Sequence, residues 1–364
     1  MDNLPPFIPG IELNRMFYQQ VVRPLLDKHA PGLIYSVGVV GEGSDVIRFD
    51  NPESMDHNWG PHLRIFLSEE DFEKKSKELD KMFRNELPVE FMGFPTNFTP
   101  ESDGYLVQQM QHIEKGPVNH LIQFYTAKTF FQHYLGIDPK KRLTHVDWLT
   151  FPQQALIEVS AGELYHDGLK LQKLRDRFSY YPDDVWRYMY TIQWGRLANL
   201  ETFPGRTGSV GDELGSQIVT NRIVHCLIQM CFLMEKQYMP YPKWFGSTFS
   251  RLRPANELTH IFLNTVHATN WQEREEHLGY AYEIILRRHN ELKLMKPWNT
   301  EMKEFEGRRY KVIYANKIYD QLHEKLPPKF KGLRWPMGAI DQFVDHTRLN
   351  KENYIWRHVG CWVK

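Results

Sequence analysis

The sequence predicts an α+β fold: a small mixed-sheet domain followed by an α-helical bundle domain. Three observations carry this prediction. Residues 1–117 alternate between short apolar, β-branched runs and helical patterns. Helical periodicity dominates residues 118–295. From Lys296 the chain turns Pro- and Trp-containing, with one short strand pattern and one short helix, so residues 296–364 read as a C-terminal extension.

Residues 11–29 read as a helix with Leu13, Phe17, Val21 and Leu25 on one face, and Pro24 kinks or ends it. Residues 33–40 form an apolar strand closed by Gly41. A polar turn region runs from Glu42 to Pro61, and residues 62–67 alternate as a second strand. Ser68 caps a helix reaching about Asn85, with Glu69, Glu70 and Asp71 at its positive end. Residues 88–94 are a third strand. Helices are then expected over 118–135, 152–165, 168–178, 182–199, 211–238, 254–267 and 270–294. In the fifth of these Leu214, Ile218, Ile223, Leu227, Met230 and Leu233 are expected to face a core, and in the last Leu278, Ala281, Tyr282, Ile285 and Leu286. A strand at 310–314 precedes the short final helix.

The 364 residues suffice for two ordinary domains and a small third, and 41% apolar content supplies the cores. Lys plus Arg and Asp plus Glu both number 45, so the net charge is zero. That disfavours a dedicated nucleic-acid binder, which carries a basic surplus, while leaving room for a local basic groove. Cys226, Cys231 and Cys361 form no metal-ligand pattern and read as reduced thiols of a cytoplasmic protein. The first residues lack a basic and an apolar region, so no secretory signal is expected. No run of 18 apolar residues is present, so no transmembrane helix and no membrane partner are expected. Oligomeric state is left open.

The chemistry gathers in Gly41-Glu42-Gly43-Ser44 and Asp56-His57-Asn58-Trp59-Gly60-Pro61. Glycine lets a phosphate approach backbone N–H groups, and the Ser44 hydroxyl adds a donor. Taken alone, such a turn is more often only a turn. Asp56 and Asn58, if extended, project to one side and offer oxygens to Mg²⁺, although Asn58 brings no charge. Glu90 lies between Val89 and Phe91; a third strand beside the second would bring it to Asp56 as metal ligand or general base. The plainer reading is a solvent-facing acid. Lys243, in an aromatic turn, is placed to reach β- and γ-phosphates, against the reading of a surface lysine. Trp59 is expected to shape the site by packing. Asp167 is a candidate for contacting the substrate, against the alternative of helix capping.

These segments resemble the nucleotidyltransferase superfamily, which includes aminoglycoside adenylyltransferases and DNA polymerase beta. Its pattern is Gly-Gly or Gly-Ser, a spacer, Asp-x-Asp, then an acid on a later strand. The counterparts here are Gly43-Ser44, Asp56-His57-Asn58 and Glu90. More narrowly, the chain is similar to an uncharacterised, largely bacterial family of nucleotidyltransferase-like proteins bearing a domain of unknown function. The similar segments include Phe17–Leu25, Asp56–Pro61, Phe91–Thr96, Ala161–Asp167, Tyr181–Tyr188 and Tyr241–Gly246. The family form has Asp where this chain has Asn58, a departure that bears on catalysis rather than fold.

The resemblance implies Mg²⁺-dependent transfer of a nucleoside monophosphate from ATP or another nucleoside triphosphate to a hydroxyl of a small polar acceptor. Gly43, Ser44 and Lys243 would hold the nucleotide. Asp56, Asn58 and Glu90 would bind metal and carry catalysis, and Trp59 and Asp167 would meet the acceptor. Two alternatives stand beside it: a nucleotide-binding pseudoenzyme weakened by Asn58, and a transferase directed at tRNA or protein.

Overall fold

A four-stranded mixed sheet organises the first half of the chain. The computed structural model describes residues 5–101, 107–333, 337–342 and 344, and Cys361 lies outside them. The chain divides into two units: Met1–Arg142 with Ala155–Ser179, and Leu143–Gln154 with Tyr180–Lys364. The first unit thus runs past residue 117, and the residues after 295 cluster with the second. This differs from the expected division because two strands of the sheet lie beyond residue 117.

The predicted first helix is present as α1 (Gly10–Phe17), a π-helical segment Tyr18–Val22, and α2 (Arg23–His29). Pro24 does not end it. Proline has no N–H to donate back along the helix, and the widened π turn lies immediately before it. Next come β1 (Ser36–Val39), β2 (His62–Phe66), α3 (Glu69–Glu86), β3 (Glu90–Phe91), β4 (Phe94–Pro95), β5 (Leu121–Tyr125) and α4 (Ala127–Leu135). Ser68 caps α3 by accepting from the Asp71 N–H, as its sequence predicts. Then follow α5 (His145–Thr150), α6 (Gln153–Ser160), β6 (Glu163–Asp167) and α7 (Leu171–Arg175).

The sheet order is β5-β2-β1-β6. β1 is antiparallel to β2, with Val37 opposite Ile65, and β2 is parallel to β5, with Arg64 opposite Gln123. β6 closes the other edge antiparallel to β1, with an irregularity at Val37/Gly38. Leu13, Phe17, Val22 and Leu26 of the N-terminal helices pack with Val37, Val39, Leu63 and Ile65 of the sheet and with Leu79 and Phe83 of α3. Burial of this many apolar side chains is the main force holding the unit together.

Two expected helices are corrected. Residues 121–125 and 163–167 are strands, not helix. Leu121-Ile122-Gln123-Phe124-Tyr125 is rich in strand-forming residues, and the helix before β6 stops at Ser160, ahead of Ala161-Gly162.

The second unit is helical: α8 (Asp183–Ala198), α9 (Phe203–Gly208), α10 (Glu213–Met234), α11 (Pro242–Phe249), α12 (Ala255–His267) and α13 (Trp271–Glu291). A short hairpin, β7 (Lys303–Glu304) and β8 (Lys311–Val312), precedes α14 (Ala315–Glu324). Its core includes Trp186, Tyr190, Trp194, Ile223, Leu227, Met230, Leu278, Tyr282 and Ile285. Leu214 and Ile218, expected in that core, are 73% and 53% exposed. Ser216 and Thr220 face inward in their place, with Arg274 donating to the Ser216 hydroxyl. By length and composition, α10 is the one described helix apolar enough to cross a membrane, and 61% of its apolar window is buried inside the protein. Cys226 and Cys231 on α10 are free and buried, and burial pushes the Cys226 thiol up to about 11.

Candidate functional site

The turn that closes β1 is an open, glycine-built loop. Gly41 and Gly43 have φ of +93° and +146°, backbone that side-chain-bearing residues rarely adopt. Gly41 also sits against the Tyr134 hydroxyl and the Arg64 guanidinium, which leave no space for a Cβ. The Gly41 N–H donates to the Glu158 carbonyl at 2.9 Å, and the Glu42 N–H to the Tyr134 hydroxyl at 3.4 Å. The Phe49 N–H closes the loop on the Ser44 carbonyl at 2.8 Å. Among the described residues, the three successive N–H groups of Gly43, Ser44 and Asp45 have no protein acceptor. Glu42 and Gly43 are exposed and Ser44 is half-buried. Consecutive unsatisfied N–H groups in a turn form a concavity that suits an anion.

A buried polar floor holds the loop from below. The Asp45 carboxylate is 2% exposed and lies 3.3 Å from His62 Nε2. This is a charge contact rather than an aligned hydrogen bond, since Asp45 Oδ2 has no bonding partner. Burial raises the Asp45 pKa above the usual carboxylate range and Asp50 adds to the rise, while His62 opposes it. Asp50 accepts from the Gly10 N–H at 2.6 Å and from the Trp59 indole at 3.1 Å. Asn14 donates to the carbonyls of Gly10 and Gly60 and accepts from the His62 N–H at 2.7 Å. Arg64 donates to the Val40 carbonyl at the end of β1.

The expected carboxylate set is not assembled this way. Asp56 ends a 3-10 helix, Pro52–Asp56, that Asn51 caps through the N–H groups of Glu53 and Ser54. Its carboxylate is 2.8 Å from His57 Nδ1. Asp56 is in the 3-10 helix and Asn58 has φ of +50°, so only His57 between them is extended and the two side chains do not share a strand face. The Asn58 side-chain oxygen accepts from the Gln108 N–H at 2.8 Å, and its own N–H donates to the Gln108 carbonyl at 2.7 Å. Glu90 is exposed on β3, which among the described residues pairs with β4 in a separate hairpin. The strands beside β2 are β1 and β5, and neither Ser-Val-Gly-Val nor Leu-Ile-Gln-Phe-Tyr contains an acid.

The remaining candidates take structural positions. Trp59 is 2% exposed, stacked on Phe7 at 5.6 Å and edge-on to Phe94 at 5.4 Å, so it packs instead of presenting a face to substrate. The Asp167 carboxylate accepts from the Ser36 hydroxyl at 2.6 Å and from the N–H groups of Leu171 and Gln172, capping α7. Those bonds hold its pKa below the usual range despite partial burial. Lys243 is exposed in the second unit, at the start of α11, with its ammonium 5.0 Å from the Trp244 ring centre. No group of three His, Cys, Asp or Glu able to hold a metal ion occurs among the described residues. Asp56 ends the 3-10 helix, Asn58 is left-handed and Glu90 lies on the β3–β4 hairpin, so the three do not line one sheet edge as Mg²⁺ binding from adjacent strands would require.

Sequence reasoning missed the floor. Asp45 follows Ser44 directly and His62 opens β2. An acid beside the glycine turn and a histidine heading an apolar strand were the available signals. Residues 148–245 match a family model described as a domain of unknown function, DUF4037. No curated protein and no solved structure matches the chain.

Proposed function

We propose that this chain binds the triphosphate of a nucleotide, ATP or another, at the Gly43–Asp45 turn, and does not use it for Mg²⁺-dependent transfer through Asp56, Asn58 and Glu90. One observation carries the reading: three successive N–H groups at an open glycine turn have no acceptor among the described residues. The resemblance of Gly43-Ser44 and the following segment to nucleotidyltransferases supports a nucleotide as the carrier of that anion. Three features weigh against transfer. Asn58 is uncharged and engaged with Gln108, Glu90 stands on a separate hairpin, and β5 offers no acid in its place. Two-metal transfer depends on such carboxylates. The setting proposed is cytoplasmic, in keeping with two unpaired, buried thiols.

The test is pyrophosphate release from ATP and Mg²⁺ in the presence of mixed hydroxyl acceptors, by the wild type and by Asn58→Asp. Aspartate keeps the acceptor for the Gln108 N–H and tolerates the left-handed backbone, so the variant is expected to fold. Neither protein should release pyrophosphate above an EDTA control. Magnesium-dependent release by the wild type, abolished in Asp56→Asn, would overturn the proposal.

A further inference from the structure

We infer that Arg15 and Arg48 form a clamp for polyphosphate at the lip of this turn, supplying the positive charge that a metal ion would otherwise bring. The inference rests on the nucleotide reading above and names the side chains that recognise the phosphates. Glu163, the first residue of β6, pairs with Val39, the last residue of β1, so it stands where the turn begins. Arg15 of α1 reaches it at 2.5 Å, and Arg48, four residues beyond Ser44, reaches its other oxygen at 3.2 Å. The Arg15 guanidinium also lies 5.8 Å from the centre of the Tyr165 ring.

Two guanidiniums share the one Glu163 carboxylate, which alone does not neutralise both. Both arginine side chains are open to solvent, at 40% and 64% exposure. A guanidinium carries five donors in a fixed fork, so binding one carboxylate oxygen does not exhaust it, and the fork matches phosphate. Glu42 at the turn and Glu12 on α1 are the nearby acids that oppose an anion, and Asp45 lies beneath. Glu163 is thus a placeholder: it holds the two arginines together in the absence of anion and competes with the phosphates for them.

The experiment is calorimetric titration of the full chain in EDTA with ATP and, separately, with inorganic tripolyphosphate. Arg15→Gln, Arg48→Gln and Glu163→Gln are compared with the wild type, with melting temperatures recorded for each. Each arginine variant should weaken both ligands by about tenfold or more, the scale of a lost charge-assisted bond. Arg15→Lys and Arg48→Lys should recover part of that loss. Glu163→Gln should tighten tripolyphosphate by about threefold or more, since it removes a competing charge. ATP binding that is unchanged in both arginine variants would overturn the clamp and leave the nucleotide reading standing. Arginine-dependent binding of tripolyphosphate without binding of ATP would keep the clamp and remove the nucleotide. Weakening by Glu163→Gln at an unchanged melting temperature would also overturn the clamp.

Discussion

Asn14 shows how much of the site rests on single buried groups. Its amide joins the start of α1, the Gly60 carbonyl and the N–H that opens β2, and the side chain has no exposure. Removing it leaves several buried partners unsatisfied at once. Asn14→Ala should cost about 3 kcal/mol in urea unfolding, whereas Asn85→Ala, on the exposed face of α3, should change stability by less than about 0.5 kcal/mol. Asn14 was not legible from its surroundings, because a polar residue in a helical pattern reads as outward-facing. Its partners at Gly60 and His62 lie 46 and 48 residues away. Gly43 and Ser44 were legible, because a glycine pair closing an apolar run announces a turn locally. That the turn leaves three N–H groups open depends on how Phe49 and Arg48 fold back onto it, which no local pattern encodes.

At the scale of elements, local periodicity separated what was read well from what was not. Helices α8 and α12 fall within one residue of their expected limits and α13 within three, because their apolar spacing is set by one helix alone. β5 and β6 need partners far along the chain, and their apolar runs looked helical until β2 and β1 supplied the ladders. The loop before β2 failed for another reason. Asn51-Pro52, an N-cap and a proline at the first helical position, signals a helical turn, and that signal outweighs the strand alternation assumed for Asp56 to Asn58. Within α10 the inward face changes chemistry along its length, from Ser216 and Thr220 to Leu227 and Met230. Leu227→Ala should therefore cost about 2–5 kcal/mol, and Leu214→Ala less than about 0.5 kcal/mol, in matched denaturant titrations. Equal losses would show that the first turns of α10 are buried after all.

Over the whole molecule, a net charge of zero hides strong local differences. Arg15 and Arg48 gather on one carboxylate beside the glycine turn, while the expected metal acids are dispersed among a 3-10 helix, a left-handed residue and a separate hairpin. The α+β class and the helical second half were legible from composition and periodicity. The distribution of charge around the turn depends on tertiary pairing between residues more than 100 positions apart. On the function proposed above, that distribution favours holding a triphosphate over breaking it. The proposed metal-independent nucleotide binding can be measured by calorimetric titration of the full chain with ATP, once with Mg²⁺ and once with EDTA. Binding is expected in both, with dissociation constants within about threefold of each other, because Coulombic contacts to arginine and backbone N–H groups require no metal. Binding that appears only with Mg²⁺, or in neither condition, would contradict it.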